Sequence, residues 1–367
     1  MRFVLLTWGS RGDVEPLAGL AVRLQQYGAE VVLCAPPDEE FQVLLDRAGV
    51  PLVPLGPSVR SVVNNPKPPT REDALRLAPD LVAARFAVLP KLAQGAKAIV
   101  ATGLMPAGAR DVADKLGIGY AFASFHTLGL PAAKTNELYL EALNSNRSAI
   151  GLPPVDDVRS YVRTEQSWLA ADPTLWPADV DDVLQIGAWT LPDHRPLPAD
   201  LEAFLDAGEP PVYVGFGSMA AHAPKDIARL TIEAARAHGR RVLLGRGWAE
   251  LAAIDDRKDT FEIGEVNQQA LFPRVATVIH HGGAGTTTTA AKAGTPQLVV
   301  PRLVDQPRWA ARVAELGIGY QDSDPTLESL SAGLSVTLAP ETLARAQAVA
   351  PTIDTDGTTR AAELLVS

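Results

Sequence analysis

The chain has 367 residues, 47% of them hydrophobic and 21% charged, the composition of a globular protein long enough for two domains. A net charge of −10 argues against a nucleic-acid partner, and no apolar run approaches the roughly 20 residues that span a bilayer. Cys34 is the single cysteine, so no internal disulfide forms; with no cationic, apolar leader at the start, a cytoplasmic protein is expected. Short apolar runs at 3–7, 30–34, 51–55, 98–101 and 120–124 then read as strands, with amphipathic helical stretches between several of them. The clearest helix covers 17–27 and is closed by Gly28. Strands alternating with helices imply a parallel, doubly wound α/β sheet.

Leu191-Pro-Asp-His-Arg-Pro-Leu-Pro198 is proline-rich and aperiodic, the signature of a linker. A second series follows it, with strands at 212–215, 241–244, 261–263, 277–280 and 297–300 and helices at 224–237, 306–316 and 327–338. The last stretch, 355–366, reads as a helix. Two Rossmann-like halves are therefore expected, each with its ligand crevice at the carboxyl ends of its strands.

One string stands out within the second half: His280-His281-Gly-Gly-Ala-Gly285-Thr-Thr-Thr-Thr289, between an apolar run ending at Ile279 and a helix-length segment stopped by Gly294 and Pro296. A glycine turn that opens a helix leaves N–H groups free at the positive end of the helix dipole, where an anion is stabilised. Gly283 lets the backbone approach closely, and Thr286 and Thr287 can add hydroxyl donors. Successive strand residues point to opposite faces, so His281 is expected to face the ligand with His280 packed behind. The bland alternative is a tight turn with two satisfied core histidines. The spacing fits neither a P-loop nor the dinucleotide fingerprint, and adjacent histidines on a strand cannot converge on a metal.

This string, continued by Ala293-Gly-Thr-Pro-Gln-Leu-Val-Val-Pro301 and Asp305-Gln306-Pro307, resembles the donor-binding signature of the family 1 nucleotide-sugar glycosyltransferases. Thr7-Trp-Gly-Ser10-Arg11-Gly12-Asp13-Val-Glu-Pro16 is similar to the N-terminal motif of their antibiotic-tailoring branch. So are Asn144-Ser-Asn-Arg147-Ser-Ala-Ile-Gly-Leu-Pro-Pro154, Gly187-Ala-Trp189, Gly215-Phe-Gly-Ser218 and Arg246-Gly-Trp248. Within that branch the likeness is greatest to the group that glycosylates vancomycin-type glycopeptide cores. The resemblance implies a GT-B fold, two Rossmann-like domains facing across a cleft. Residues 1–190 would bind the acceptor and 199–354 the nucleotide sugar, joined by the linker 191–198, with the helix of 355–367 packing back on the first domain. One region departs from the family: between Phe125-His126 and Asn144 only residues 127–143 stand where the glycopeptide group carries a longer, proline-rich acceptor cover. That leaves the acceptor open.

Glycosyl transfer needs a base for the acceptor hydroxyl, stabilisation of the departing diphosphate, and in-line alignment. Asp13, after the first strand, reads as a base or as an ordinary helix N-cap ahead of Pro16; the resemblance favours the base. His126 lines the acceptor site or shares that role, or is a packed core histidine. For the diphosphate, His281, Gly283, Thr286 and Thr287 are joined by Ser218, Ser10 and Arg11, the arginine otherwise a solvated surface group. Asp305 and Gln306 match the family's sugar-binding pair, and Arg246, Trp248 and the backbone near Val266 would frame the nucleotide base. No acidic metal motif accompanies them, so a metal-independent enzyme without a cofactor is expected. Inversion, and transfer from a TDP- or UDP-sugar to a hydroxyl or phenol of an antibiotic-like, small-molecule or glycopeptide aglycone, are what the resemblance implies. A nucleotide-sugar 2-epimerase on the same fold, or a silent partner of another glycosyltransferase, are the alternatives; the presence of both His281 and Asp13 argues against the silent partner.

Overall fold

The computed structural model describes residues 1–63, 70–127, 129–164, 167–180, 182–217, 226–247, 251–302 and 305–367. They form two compact units, the first made of Met1–Ala171, Ala178–Leu191 and Thr355–Ser367, the second of Asp172–Pro177 and Pro192–Asp354.

The first unit is built on β1 (Arg2–Leu6), β2 (Glu30–Ala35), β3 (Leu52–Pro54), β4 (Ala98–Ala101), β5 (Gly119–Ser124), β6 (Ser167–Leu169) and β7 (Val183–Gln185). They lie in the order β3-β2-β1-β4-β5-β6-β7, all parallel. Both faces are covered, which is why β1 has no exposed residue from Phe3 to Leu6. Phe3 and Leu5 enter one core with Leu17, Leu20 and Leu24 of the Arg11–Gln26 helix, while Val4 and Leu6 enter the opposite core with Leu89 and Val112. The period of two along the strand thus assigns alternate residues to separate layers.

The second unit repeats the plan with β8 (Val212–Gly215), β9 (Val242–Gly245), β10 (Thr260–Ile263), β11 (Thr277–His280), β12 (Gln297–Val299) and β13 (Gly319–Gln321), ordered β10-β9-β8-β11-β12-β13 and again parallel. Val212 and Val214 pack with Ile232 and Leu334 on one face; Tyr213 packs with Leu201 and Leu271 on the other. In each sheet the order reverses beside the first strand, between β1 and β4 and between β8 and β11. The carboxyl ends of these pairs are the topological switch points, where open α/β sheets bind ligands.

The final helix, Gly357–Val366, belongs to the first unit and places Ala361, Ala362 and Leu365 in its core. Gly357 is required there because a Cβ would collide with the Gly187 carbonyl, and its N–H donates to Ala188 O at 3.2 Å. The Gly187-Ala-Trp189 motif is therefore a docking seat, with Trp189 set edge-on to Phe125 and Trp168.

Two details depart from a simple split at 191–198. Asp172–Pro177 groups with the second unit, where Trp176 packs on Trp309 with ring centroids 4.8 Å apart and Thr174 O accepts from Arg312 Nε at 2.8 Å. From Pro192 on, the linker also groups with that unit: Asn267 Nδ2 donates to the carbonyls of Asp193 and Arg195 at 2.9 and 2.8 Å. The Asn144–Pro154 motif has a structural use as well. Asn144 pairs through both amide atoms with the Val155 backbone, and Arg147 donates to Pro153 O and to buried Asp111.

Candidate active site

In the second unit, β8 and β11 are parallel neighbours with Gly215 opposite His280. The turns that leave them meet around the next residues. His281 lies between two glycines: a Cβ on Gly217 would sit 3.4 Å from its Cε1, and one on Gly283 only 2.5 Å from its Nε2. Gly217 and Gly282 also carry φ of +55° and +88°, values that side-chain-bearing residues rarely adopt. A Cβ on Gly282 would press within 2.9 Å of Val299 and 3.2 Å of the Gln306 carbonyl. The glycines thus bring His281, the first turn of the Ala284–Lys292 helix and Gln306 into one cluster.

His280 is fully buried behind this surface. The Gly282 N–H can only donate, so His280 Nδ1 accepts it at 3.1 Å; Nε2 then carries the hydrogen and donates to Gln297 Oε1 at 2.9 Å. Burial, and next the neighbouring His281, push His280 down to about 3, so it is a neutral structural pin. Burial also pushes His281 down to about 4, and its buried Nδ1 has no hydrogen-bond partner. A neutral imidazole with an unused polar atom thus stands beside the N-terminus of the Ala284–Lys292 helix.

The remaining expected groups divide. Thr286 lies partly exposed in the first turn of that helix, whereas the Thr287 hydroxyl donates to Gly283 O at 2.9 Å and is used within the turn. Asp305 Oδ2 accepts from Trp309 Nε1 at 2.9 Å, and Gln306 Oε1 accepts from Arg302 N at 2.8 Å, so both side chains are braced by their own loop. Arg246, at the end of β9, pairs with Glu262 of β10 at 2.8 Å. Val266 packs against the core that contains Leu271 and Phe272. Ser218, Trp248 and the first two residues of the helix expected from 224 lie outside the described residues.

In the first unit the Arg11–Gln26 helix starts well before the expected 17 and takes in Pro16, one turn inside. Its N-cap is Ser10, not Asp13; Asp13 occupies the first turn and receives the Ser10 hydroxyl at 3.4 Å. Gly9 makes room for it, since a Cβ there would strike the Asp13 carboxylate. Arg11 is paired with Glu15 at 2.6 Å. At the neighbouring switch-point strand, Gly103 fits closely against Thr7, and the hydroxyls of Thr7 and Thr102 are buried without partners. His126 follows β5, where the Ser124 hydroxyl donates to its carbonyl at 2.6 Å. The structure thus puts Asp13 after β1 and His126 after β5, two strand spacings apart, roughly 10 Å at the sheet edge. Sequence reasoning missed Arg85, a fully buried cation whose guanidinium binds the carbonyls of Leu104, Met105 and Ala107 and fixes the loop after β4. A lone arginine in a helix carries no signal of that use. Among the described residues no group of three or more His, Cys, Asp or Glu is placed to hold a metal ion, and no helix is long and apolar enough to cross a membrane.

Residues 3–103 match the family model described as the glycosyltransferase family 28 N-terminal domain, and 258–355 match the erythromycin biosynthesis protein CIII-like C-terminal domain. The chain is 50% identical over 400 residues to the vancomycin aglycone glucosyltransferase of Amycolatopsis orientalis, covering 100% of this chain and 97% of that protein. It belongs to the family 1 glycosyltransferases of the antibiotic-tailoring branch. The dTDP-epi-vancosaminyltransferase of the same organism is 47% identical, over 95% of this glycosyltransferase and 93% of its own length. Among solved structures, the glycotransferase of kitacinnamycin superposes with a TM-score of 0.78 at 19% identity, covering 100% of this chain and 98% of that one. The two-sheet architecture is accordingly the GT-B fold.

Proposed function

We propose that this glycosyltransferase moves a sugar from a TDP- or UDP-sugar to a hydroxyl or phenol of an antibiotic-like aglycone, with inversion and without a metal ion. The observation that carries the donor half is the His281 cluster: a neutral imidazole with a buried, unpartnered Nδ1 beside a helix N-terminus at the switch point of the second unit. A buried polar atom without a partner costs about 1–3 kcal/mol, and a diphosphate oxygen held there would remove that cost while meeting the helix dipole. The first unit would receive the acceptor. Asp13, carrying negative charge in the first turn of a helix where the dipole favours it, takes the proton from the acceptor oxygen. That oxygen bonds to the anomeric carbon from the face opposite the diphosphate. The carbon–phosphate oxygen bond breaks, and the nucleoside diphosphate leaves with the electron pair. Its developing charge falls on the His281 loop, so protein donors take the part a cation has elsewhere.

The relatives named for a vancomycin aglycone and for a dTDP-sugar support this choice of substrates. Incubating the enzyme with TDP-glucose or UDP-glucose and vancomycin aglycone in excess EDTA should release nucleoside diphosphate and give an aglycone heavier by one hexose. Release that needs no acceptor, or a strict requirement for added magnesium, would overturn the reading.

A further inference from the structure

The first unit contains a cavity of about 530 Å³ that the scheme above does not use. Three arginines line it: Arg110 from the Ala109–Leu116 helix, and Arg159 and Arg163 from the Val158–Arg163 helix, with Ser160, Thr164 and Asp182 completing the wall. The residues just after His126 frame one side. Leu130 O accepts from Arg159 at 3.3 Å, and Gly129 is so close that a Cβ on it would lie 3.3 Å from the Arg163 guanidinium. Thr127 Oγ1 ties the same loop to Asp179 at 2.7 Å.

The charges in this cavity do not balance. Arg110 is offset by Asp114 at 3.8 Å and lies over the Tyr161 ring, its guanidinium also donating to Tyr161 O at 2.5 Å. Among the described residues, Arg159 and Arg163 share one lining carboxylate, Asp182, which is exposed. Among the described residues, the Arg163 guanidinium has neither an ion pair nor a side-chain hydrogen bond. Burial, and next the nearby Arg159 cation, push it below the usual arginine range; Asp182 only partly opposes this. Thr164 adds strain at the rim, with φ +64° and ψ 174°, the one non-glycine of positive φ among the described residues. Among the described lining residues and their ion partners, the charge is therefore about one positive in excess, with an open guanidinium fork in a space of ligand size.

We propose that this cavity binds a carboxylate carried by the acceptor, with Arg163 as its bidentate partner and Arg159 and Ser160 as flanking donors. The assignment rests on the glycosyl-transfer reading, which puts the acceptor in this unit. A single carboxylate matches the excess charge, whereas a phosphate dianion would exceed it. The volume suits a group borne on a larger molecule. The cavity adjoins the loop that leaves β5 after His126, at the carboxyl end of that strand.

The test uses the full-length enzyme. Saturation-transfer NMR with benzoate should show binding that is lost in Arg163→Gln and partly restored in Arg163→Lys, while benzamide gives no signal. In turnover, vancomycin aglycone as the free acid should have a KM at least tenfold below that of its methyl amide, a ratio that falls toward one in Arg163→Gln. Far-UV circular dichroism and the thermal midpoint should stay unchanged in that variant, which shows that the first unit is folded. Absence of benzoate binding in the unmodified enzyme, or equal effects of Arg163→Gln on acid and amide, would overturn the subsite. Inorganic phosphate that displaces benzoate at micromolar concentration, with acid and amide turned over alike, would also overturn it in favour of a free anion. Arg163-dependent benzoate binding without turnover of either aglycone form would support the anion cavity and overturn the reading of the reaction.

Discussion

The Asp13 carboxylate rests above Gly9, within 3.4 Å of the Ser10 hydroxyl, in the first turn of a helix capped by Ser10. Because Asp13 is not the cap, replacing it does not remove a cap. Asp13→Asn should cost only about 0.3–1 kcal/mol of dipole interaction. If Asp13 is the base, the same change should lower kcat by about 10²–10⁴ with little effect on donor affinity. Kinetics and a thermal melt on one variant separate the two effects; near-normal turnover in a folded protein would shift the base role to His126. His281 offers a parallel test. His281→Ala should weaken TDP binding by about 1–3 kcal/mol in calorimetry. Gly283→Ala should do the same although it leaves the imidazole in place, because its Cβ would come within 2.5 Å of Nε2 and drive the ring aside.

At the scale of the element, β11 and its turn are held by a neutral histidine, and this makes the second unit sensitive to acid. His280 has its folded value pushed down to about 3 from an ordinary 6.5. Between those values the unfolded chain binds a proton that the native state refuses. Its contribution is therefore complete above pH 6.5 and falls as pH drops, by roughly 1.4 kcal/mol per unit, levelling near the folded value. Urea titrations at pH 7, 6 and 5 should show this slope. His280→Asn keeps a polar group at the strand end but does not titrate, so it should reduce the slope and leave the part due to His281, which is also pushed down, to about 4. An unchanged slope would place the acid sensitivity elsewhere.

At the scale of the molecule, the chain passes between its units after Ala171, Pro177, Leu191 and Asp354, so the first unit is completed only by the last residues. The Gly357–Val366 helix supplies Leu365 to a core shared with Leu17 and Leu20, and the Tyr27 hydroxyl donates to Glu363 at 3.3 Å. Leu365→Ala should destabilise the first unit by about 2–4 kcal/mol, seen as a lower midpoint in urea, while TDP affinity, which the proposed function assigns to the second unit, stays unchanged. No shift in the midpoint would mean that the terminal helix is dispensable.

The strands at 98–101, 212–215 and 277–280 were legible to the residue because each is a short β-branched run bounded by turn residues, a local pattern. So was the strand–glycine–helix junction at 280–289, whose chemistry is contiguous in the chain. β6, β7 and β13 carry three residues each and, unlike the equally short β12 with its Leu298-Val-Val300 run, no β-branched run, and become strands because a neighbouring parallel edge is there to pair with them. Tertiary structure also decided the His280 tautomer, through Gln297, a residue 17 positions away. The same holds for Gly217 and Gly283 closing on His281 from separate loops, and for Arg110, Arg159 and Arg163 sharing one cavity. Local sequence fixes backbone preference and side-chain chemistry, but which charges meet, and which polar atoms lose water, depends on contacts that only the folded sheets bring within reach.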